Sequence, residues 1–206
     1  NNQRPTAQEL DKLQGKVARL TEDGKVPPDN PFVNTAGARP EIWSYGIRNP
    51  QGMAMNPWSD TLWLNEHGPR GGDEINIPEK GKNYGWPLAT HGINYSGLKI
   101  PEAKGEHVEG TEKPLFVWKV SPAVSGMAFY NSDVFPQWKN KLFIGALKEK
   151  DVIVLSVKGN SVTEDGRILG DKDQRIRDVR VGPDGYLYVL TDETDGQLLK
   201  VSPSRS

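Results

Sequence analysis

Apolar and polar residues alternate in short runs along much of the chain, and these runs recur in three similar segments. Each segment has a short alternating run, a turn built on Pro, Asp or Gly, an apolar run and a third run. Alternation with a period of two predicts β-strands, and this three-run unit is typical of a propeller blade rather than of a helical solenoid. The predicted runs are 52–57, 61–64 and 73–77; 126–130, 141–145 and 152–157; and 179–185, 186–190 and 197–201.

Other stretches carry weaker signals. Residues 15–20 alternate like a strand, whereas residues 6–13 have an N-cap candidate and an acidic first turn, which suits a short helix or, in the better interpretation, a surface connector. Residues 80–118 contain Gly, Pro and charges but little periodicity. We expect them to form a long inserted loop, where functional residues are often found.

Three blades are too few to close a ring, and a propeller needs closure to remove its exposed strand edges. We therefore predict an all-β chain in which residues 1–206 are a partial propeller, roughly half of one larger domain. The sequence begins at Asn1 and has no initiating Met, which we interpret as a mature or cut chain.

Composition narrows the possible functions. The 26 Lys and Arg nearly balance the 27 Asp and Glu, so no overall field favours nucleic acid or an anionic membrane, and any anion site must be local. No apolar run approaches the roughly 20 residues of a membrane span. The chain has no Cys, which excludes disulfides and thiolate metal sites but leaves both cytoplasm and periplasm open.

The first candidate for chemistry is the Arg48–Asn49–Pro50 sequence. Proline biases the preceding Asn49 away from helix, which predicts a rigid loop just before a strand. An ion pair between Arg48 and a carboxylate across the blade is the structural alternative.

A Gly-rich turn follows at 68–72, and its Gly68 and Pro69 can direct backbone carbonyls at a hard cation. By itself this turn is a weak indicator. Asp73 and Glu74 come next, and because neighbours in a strand point to opposite faces, we expect one of them rather than both to bind an ion.

A second group of candidates is cationic. Arg175 and Arg177 flank Ile176, so in an extended segment both would face the same way and form a clamp for carboxylates, and Lys148 follows another apolar strand. With Arg48, these residues predict an anion site at the centre of the ring. The alternative is a solvated edge on which nearby acids neutralise the cations, namely Asp171, Asp173 and Asp178.

The histidines and tryptophans add less. His67 adjoins the Gly-Pro turn, whereas His91 and His107 lie in the inserted loop, and no His-Glu or His-x-x-x-His pairing supports a transition-metal centre. Most of the Trp residues are explained as core, although Trp86 could wall a sugar pocket.

Several motifs together resemble one family. The runs GIRNPQGMAMNP, LNEHGPRGGDEIN, KNYGWP, FIGALK and QRIRDVRVGPDGYLYVLTD resemble the soluble pyrroloquinoline-quinone (PQQ)-dependent aldose sugar dehydrogenases, members of the glucose/sorbosone dehydrogenase family. The resemblance covers essentially the whole chain. It implies a six-bladed β-propeller in the periplasm, with PQQ and Ca²⁺ held over the central channel.

The resemblance also implies roles for individual residues. The quinone would be contacted by Arg48 and Asn49, its carboxylates by Lys148, Arg175 and Arg177, and its bridging calcium by the carbonyls of Gly68 and Pro69. A second, structural calcium would bind Glu74 and the backbone of Tyr84. Arg48 would stabilise charge that develops on the quinone oxygen.

The function implied is oxidation of an aldose at its anomeric carbon to the lactone, with electrons passing through the quinone to an external acceptor. Members of the family carry the catalytic base, a His with an adjacent Asp, in the first blades, and no His here lies in that motif. The chain thus resembles the C-terminal portion, and we expect it to need the N-terminal portion for activity. A noncatalytic calcium- or ligand-binding propeller fragment is the alternative function.

Overall fold

The computed structural model describes residues 3–203 of the chain. In this part the secondary structure consists of thirteen β-strands and three short 3-10 helices, with no α-helix. The strands are β1 (Lys16–Ala18), β2 (Ile42–Tyr45), β3 (Pro50–Asn56), β4 (Thr61–Glu66), β5 (Asp73–Asn76), β6 (Phe116–Trp118), β7 (Val124–Tyr130), β8 (Lys141–Ala146), β9 (Val152–Lys158), β10 (Ser161–Ile168), β11 (Ile176–Val181), β12 (Leu187–Thr191) and β13 (Leu198–Val201). The 3-10 helices are Arg4–Gln8, Pro136–Trp138 and Gly170–Lys172.

The chain divides into two compact units, and the first contains the residues up to Pro50 together with Glu66–Val120. In this unit β1 pairs antiparallel with β2, and β5 pairs antiparallel with β6. Its small apolar cluster joins Ala7, Trp86 and Ile100, so the inserted segment packs on the beginning of the chain. The candidate cation ligands all lie in this unit.

The second unit contains Gln51–Asn65 and the residues from Ser121 onward. It holds the β3–β4 pair, a four-stranded sheet in the order β10-β9-β8-β7 and a three-stranded sheet in the order β11-β12-β13. Every residue of β7 is buried, because this strand packs against β11 as well as pairing with β8. A core of Tyr130, Phe143 and Val189 with their neighbours fills the space between these sheets.

The all-β prediction is confirmed, and all nine predicted strands form in the predicted order. The weaker strand signal at 15–20 also forms, as β1, and three further strands, β2, β6 and β10, were not predicted. β10 is exposed at most of its positions, so it lacks the apolar alternation that marks a strand, and it forms because its backbone pairs with β9. The six-bladed propeller and the place of this chain within it stay predictions.

In the predicted loop at 80–118 the described chain has no strand and only isolated bridges up to residue 115. The last three residues of that loop are wrong, because Phe116–Trp118 form β6 along β5. At the start of the chain the structure has a 3-10 helix at Arg4–Gln8 followed by turns, which agrees with a connector rather than with a helix over 6–13.

Candidate cation and cofactor site

The site in the first unit is built on a tight turn that follows β4. A Cβ atom at Gly68 would lie 2.1 Å from the Gly71 carbonyl oxygen, so the loop folds back too closely for any other residue. Gly71 and Gly72 adopt φ angles of +79° and +77°, which glycine tolerates without strain. Asp73 closes the loop, since its Oδ1 accepts the Gly68 N–H at 3.1 Å. Gly68 and Pro69 are therefore held in fixed, buried positions.

Glu66, at the end of β4, holds the Arg48–Asn49 turn. Its Oε2 accepts the backbone N–H of Arg48 at 2.6 Å and that of Asn49 at 3.3 Å. Its side chain is buried, with only 3% of the residue exposed. A carboxylate that accepts two backbone donors fixes the path of a loop more firmly than a neutral acceptor would.

Asn76 joins this acid to a second one. Its side-chain Nδ2 donates to Glu66 Oε1 at 3.0 Å and to Glu74 Oε1 at 2.9 Å. Its Oδ1 is buried and has no hydrogen-bond partner in the part of the chain that the structure describes. A buried acceptor without a partner is costly, so this oxygen indicates a place where a ligand can bind.

The two acids of the Asp73–Glu74 pair face opposite ways, as predicted. Asp73 turns to the Gly68 loop, whereas Glu74 turns towards Asn76 and Glu66. Burial raises the pKa of Glu66 to about 7, and burial together with the Glu66 charge raises the pKa of Glu74 to about 8. Two neighbouring carboxyls, one buried and one partly buried, resist carrying two negative charges, and a divalent cation would remove that penalty.

A cavity of about 20 Å³ lies among these groups, enough for one water-sized body or one ion. The four proposed cation ligands, Gly68, Pro69, Glu74 and Tyr84, all line it, together with Glu66. The hydroxyl of Tyr84 is already bound to the Ile77 carbonyl and the Glu79 N–H, which leaves its backbone carbonyl as the group it can offer.

This donor set fits a hard cation. Carboxylate, amide and carbonyl oxygens are the ligands that calcium takes. In residues 3–203 no group of three or more His, Cys, Asp or Glu side chains is arranged to hold a metal, so neutral oxygens would complete any coordination here. Nothing in the set favours a transition metal.

Arg48 stands beside this cavity. Its Nη1 donates to the His67 carbonyl at 3.1 Å, and its guanidinium lies 5.2 Å from the centre of the Trp86 ring. Among the described residues its guanidinium makes no direct ion pair, although its charge opposes the rise in the pKa of Glu66, so both interpretations of Arg48 stay open. Its buried Nε has no hydrogen-bond partner there. A stacked cation with a remaining donor is suited to an anionic oxygen.

A larger pocket of about 380 Å³ lies between the beginning of the chain and the residues Arg48, Asn49 and Trp86. This volume falls in the range of small-molecule sites. Most of Trp86 is buried, with 8% exposed, and it contributes to the lining of both the pocket and the small cavity. Trp86 therefore lines a pocket of suitable size, and the binding of a sugar there stays a prediction.

The second unit holds the other three cations. Arg175 and Arg177 both hydrogen-bond Asp192, at 3.0 Å and 2.9 Å through their Nη2 atoms, so they face the same way as predicted. Arg175 also reaches the Leu147 carbonyl at 3.4 Å, which brings it to the loop of Lys148. These two arginines hold the pKa of Asp192 below its usual value.

The prediction that Asp171, Asp173 and Asp178 neutralise these arginines is wrong. Asp171 and Asp173 pair with Lys172 and Lys150, and Asp178 pairs with Arg180. Asp192 takes their place because the β11–β12 register sets Ile176 opposite Thr191, and Asp192 follows next. Lys148 donates to the Ser121 carbonyl at 3.3 Å and is more than half exposed. Arg48 belongs to the other unit, so a shared anion site of all four cations stays a prediction.

The remaining histidines form a contact that the sequence did not indicate. The rings of His91 and His107 meet edge to face at 5.5 Å, and His91 Nδ1 lies 3.5 Å from Glu106. Burial lowers the pKa of His91. A His–Glu contact thus exists in the described loop, but it is not part of any metal-binding group there.

Sequence reasoning missed Glu66 and Asn76. Asn76 follows Glu74 by two residues in β5, so the alternation of a strand places both on one face and could have revealed it. Glu66 gives no such sign, because an acid at the end of a strand is usually solvated. Only its burial identifies it.

The sequence matches the family described as Glucose / Sorbosone dehydrogenase over residues 1–200. It is 81% identical over 203 residues to aldose sugar dehydrogenase YliI of Escherichia coli K12, covering 98% of this chain and 55% of that protein. No helix in the described chain is long and apolar enough to cross a membrane.

Two solved structures are similar. The apo form of the soluble aldose sugar dehydrogenase from Escherichia coli matches with a TM-score of 0.97 and 80% identity, covering 99% of this chain and 59% of that one. The PQQ-bound form of aldose sugar dehydrogenase from Streptomyces coelicolor matches with a TM-score of 0.74 and 28% identity, covering 97% and 55%. The chain thus spans just over half the length of these proteins, and it belongs to the glucose/sorbosone dehydrogenase family.

Proposed function

We propose that this chain is part of a PQQ-dependent aldose sugar dehydrogenase, which oxidises the anomeric carbon of aldoses such as glucose to lactones. The observation that carries the proposal is the ion-sized cavity next to the Arg48–Asn49 turn, lined by two raised-pKa carboxyls and an unpartnered amide oxygen nearby. The similarity to an aldose sugar dehydrogenase and to a PQQ-bound one supports the choice of substrate and cofactor.

In this proposal the cations are calcium. Glu74 with the Tyr84 carbonyl would hold a structural calcium in the ion-sized cavity, and the Gly68 and Pro69 carbonyls would hold the calcium of the quinone site outside it. Arg48 and Asn49 would contact the quinone itself. Lys148, Arg175 and Arg177 would hold its carboxylates. The charges of the two arginines are partly balanced in advance by Asp192, and Lys148 pairs with Glu149.

The quinone, when bound, supplies a two-electron acceptor, and an external acceptor then takes the electrons. Arg48 would stabilise negative charge on the bound cofactor, because its guanidinium is held between the Trp86 ring and the His67 carbonyl before any ligand binds. Such preorganisation requires no reorientation at the moment when charge forms.

The proton from the sugar hydroxyl needs a base, which we assign to a His with an adjacent Asp in the part of the protein outside this chain. None of His67, His91 and His107 has an Asp beside it in the sequence. We also propose the periplasm as the compartment, and a six-bladed propeller to which this chain contributes the C-terminal portion.

A noncatalytic calcium-binding fragment is the second candidate. It is favoured by one observation, namely that Glu66, Glu74 and Asn76 form a connected group within the first unit alone. Such a fragment would bind calcium without quinone.

Two preparations, this chain alone and the full-length protein, separate the candidates. With PQQ and calcium, the full-length protein should develop the absorbance change of bound quinone and reduce a dye with glucose. The isolated chain should do neither, and light scattering should show association, because β13 is an edge strand of a three-stranded sheet with Leu198 exposed. A monodisperse isolated chain that oxidises glucose would contradict the assignment of the base. A full-length protein that binds calcium but not PQQ would favour the second candidate.

A further inference from the structure

Two groups of the first unit that have separate roles in the proposed function are connected by hydrogen bonds. The Arg48–Asn49 turn would contact the quinone, and Glu74 would bind a cation. Between them lie Glu66 and Asn76, both almost fully buried, with 3% and 1% exposed. Buried polar groups cannot exchange their hydrogen-bond partners for water, so a displacement of Glu74 changes the hydrogen bonds that hold the Arg48–Asn49 turn.

The first step of the connection is from the turn to Glu66. Both backbone N–H groups of the turn donate to one oxygen of this acid, Oε2. If the carboxylate rotated or moved, two backbone donors would lose their partner, which is costly inside a protein. The position of Glu66 therefore sets the position of Arg48 and Asn49.

The second step is from Glu66 to Glu74 through Asn76. The Nδ2 group donates to one oxygen of each acid, at 3.0 Å and 2.9 Å, while Oδ1 has no partner among the described residues. The side-chain amide of Asn76 is planar, so a cation that binds its Oδ1 or attracts the Glu74 carboxylate fixes the direction of its Nδ2. That direction decides how firmly Glu66 is held.

We propose that Glu66 and Asn76 are positioning residues that couple the cation site to the Arg48–Asn49 turn, so that calcium and the quinone bind cooperatively. This inference rests on the proposed function. Coupling between two binding sites is reciprocal, so calcium must raise quinone affinity by the same factor by which quinone raises calcium affinity. Couplings of this kind are about 5- to 150-fold.

The first test measures the coupling factor in the full-length protein. Quinone affinity is titrated by absorbance with and without calcium, and calcium affinity is titrated with and without quinone. We expect a factor of about tenfold in both directions, within the usual range for coupled sites. The variant Asn76→Leu keeps the approximate volume but removes the link. It should lower the factor several-fold, leaving only the part that calcium at the Gly68 and Pro69 carbonyls contributes directly, even if each affinity also changes.

Glu66→Gln serves where Asn76→Leu fails to fold. Glutamine retains an oxygen for the backbone donors but presents an amide nitrogen, which cannot accept from Asn76. Ser44→Ala is the matched control, because it alters another buried polar side chain of this unit, one with no partner among the described residues. The control should keep the full coupling factor. If Glu66 and Asn76 had a purely structural role, Asn76→Leu and Glu66→Gln would keep it too.

A measurement without quinone tests the same connection. Calcium should slow hydrogen exchange at the Arg48 and Asn49 amides in the parent protein and leave it unchanged in Asn76→Leu. Parent protein that binds both ligands with a coupling factor of one overturns this inference alone, as does an unchanged factor in the folded variants. Parent protein that binds no quinone overturns both this inference and the proposed function.

Discussion

The cation site of the first unit and the cationic cluster of the second unit balance their charges in opposite ways. In the first unit the buried Glu66 and the partly buried Glu74 have no ion pair among residues 3–203, and their pKa values are raised. In the second unit Arg175 and Arg177 share Asp192, and all three side chains are partly exposed. The first arrangement has two acids against the single charge of Arg48, whereas the second already pairs its arginines with an acid before any ligand arrives. Ligand binding should therefore change stability strongly at the first and weakly at the second.

The largest effect is expected at Arg48, whose guanidinium has no carboxylate partner among the described residues. In the full-length protein Arg48→Leu should lower kcat about 10²–10³-fold, the usual result of removing one preorganised donor to developing charge. Dye-coupled turnover with glucose measures this. Arg39→Leu is the control, because Arg39 is an exposed arginine of the same unit that pairs with Glu41 away from the cavity, and this variant should keep near-normal kcat. A kcat for Arg48→Leu within about twofold of the parent value would remove Arg48 from the catalytic machinery.

Glu74 gives the next largest effect. An ion that binds only the folded state stabilises it by about 2.7 kcal/mol at a concentration 100 times its Kd. Calcium should therefore raise the Tm of the full-length protein, and Glu74→Gln should abolish most of that rise. Glu79→Gln changes an exposed glutamate nearby and should retain the rise. If a chelator leaves the Tm of the parent unchanged, Glu74 does not hold a structural ion.

The sequence predicted this contrast only in part. Strand alternation placed Arg175 and Arg177 on one side and separated Asp73 from Glu74, since both results depend on the period of two alone. Asp192 could not be predicted, because it is 15 residues from Arg177 and meets it only through the β11–β12 register. Glu66 is hidden for a similar reason, since its donors lie 17 and 18 residues earlier in a turn. Local pattern gives the direction of a side chain, but long-range pairing gives its partners.

A smaller effect is expected in the cationic cluster. Arg177→Ala should weaken PQQ affinity by about 1–3 kcal/mol if a charge-assisted bond to the cofactor is lost. Lys150→Ala is the control, because Lys150 is paired with Asp173 and has no proposed role. Absorbance titration of the full-length protein gives both affinities. Equal affinities for Arg177→Ala and the parent would mean that Asp192 is the only partner this arginine needs.

The smallest expected effect concerns protons released by calcium, and its sign follows from the raised pKa values of Glu66 and Glu74. A carboxyl whose pKa is higher in the folded state than the ordinary 4.5 makes its full contribution to stability only when the pH is below 4.5. This contribution is lost as the pH rises through about 7 for Glu66 and about 8 for Glu74. Calcium-free protein should accordingly lose stability between pH 5 and pH 8.5, and saturating calcium should reduce that loss.

At pH 6 both carboxyls are largely protonated without calcium, because each pKa lies above that pH. Calcium requires the ionised form, so binding should release roughly one to two protons per ion at pH 6 and fewer at pH 8.5. Calorimetric titration in two buffers of different ionisation enthalpy counts these protons. Glu74→Gln should lower the count, whereas Glu79→Gln should not, since Glu79 is exposed and lies outside the cavity. A proton count near zero at both pH values would show that the cation binds away from these two acids, and the contrast between the two units would then lose its basis.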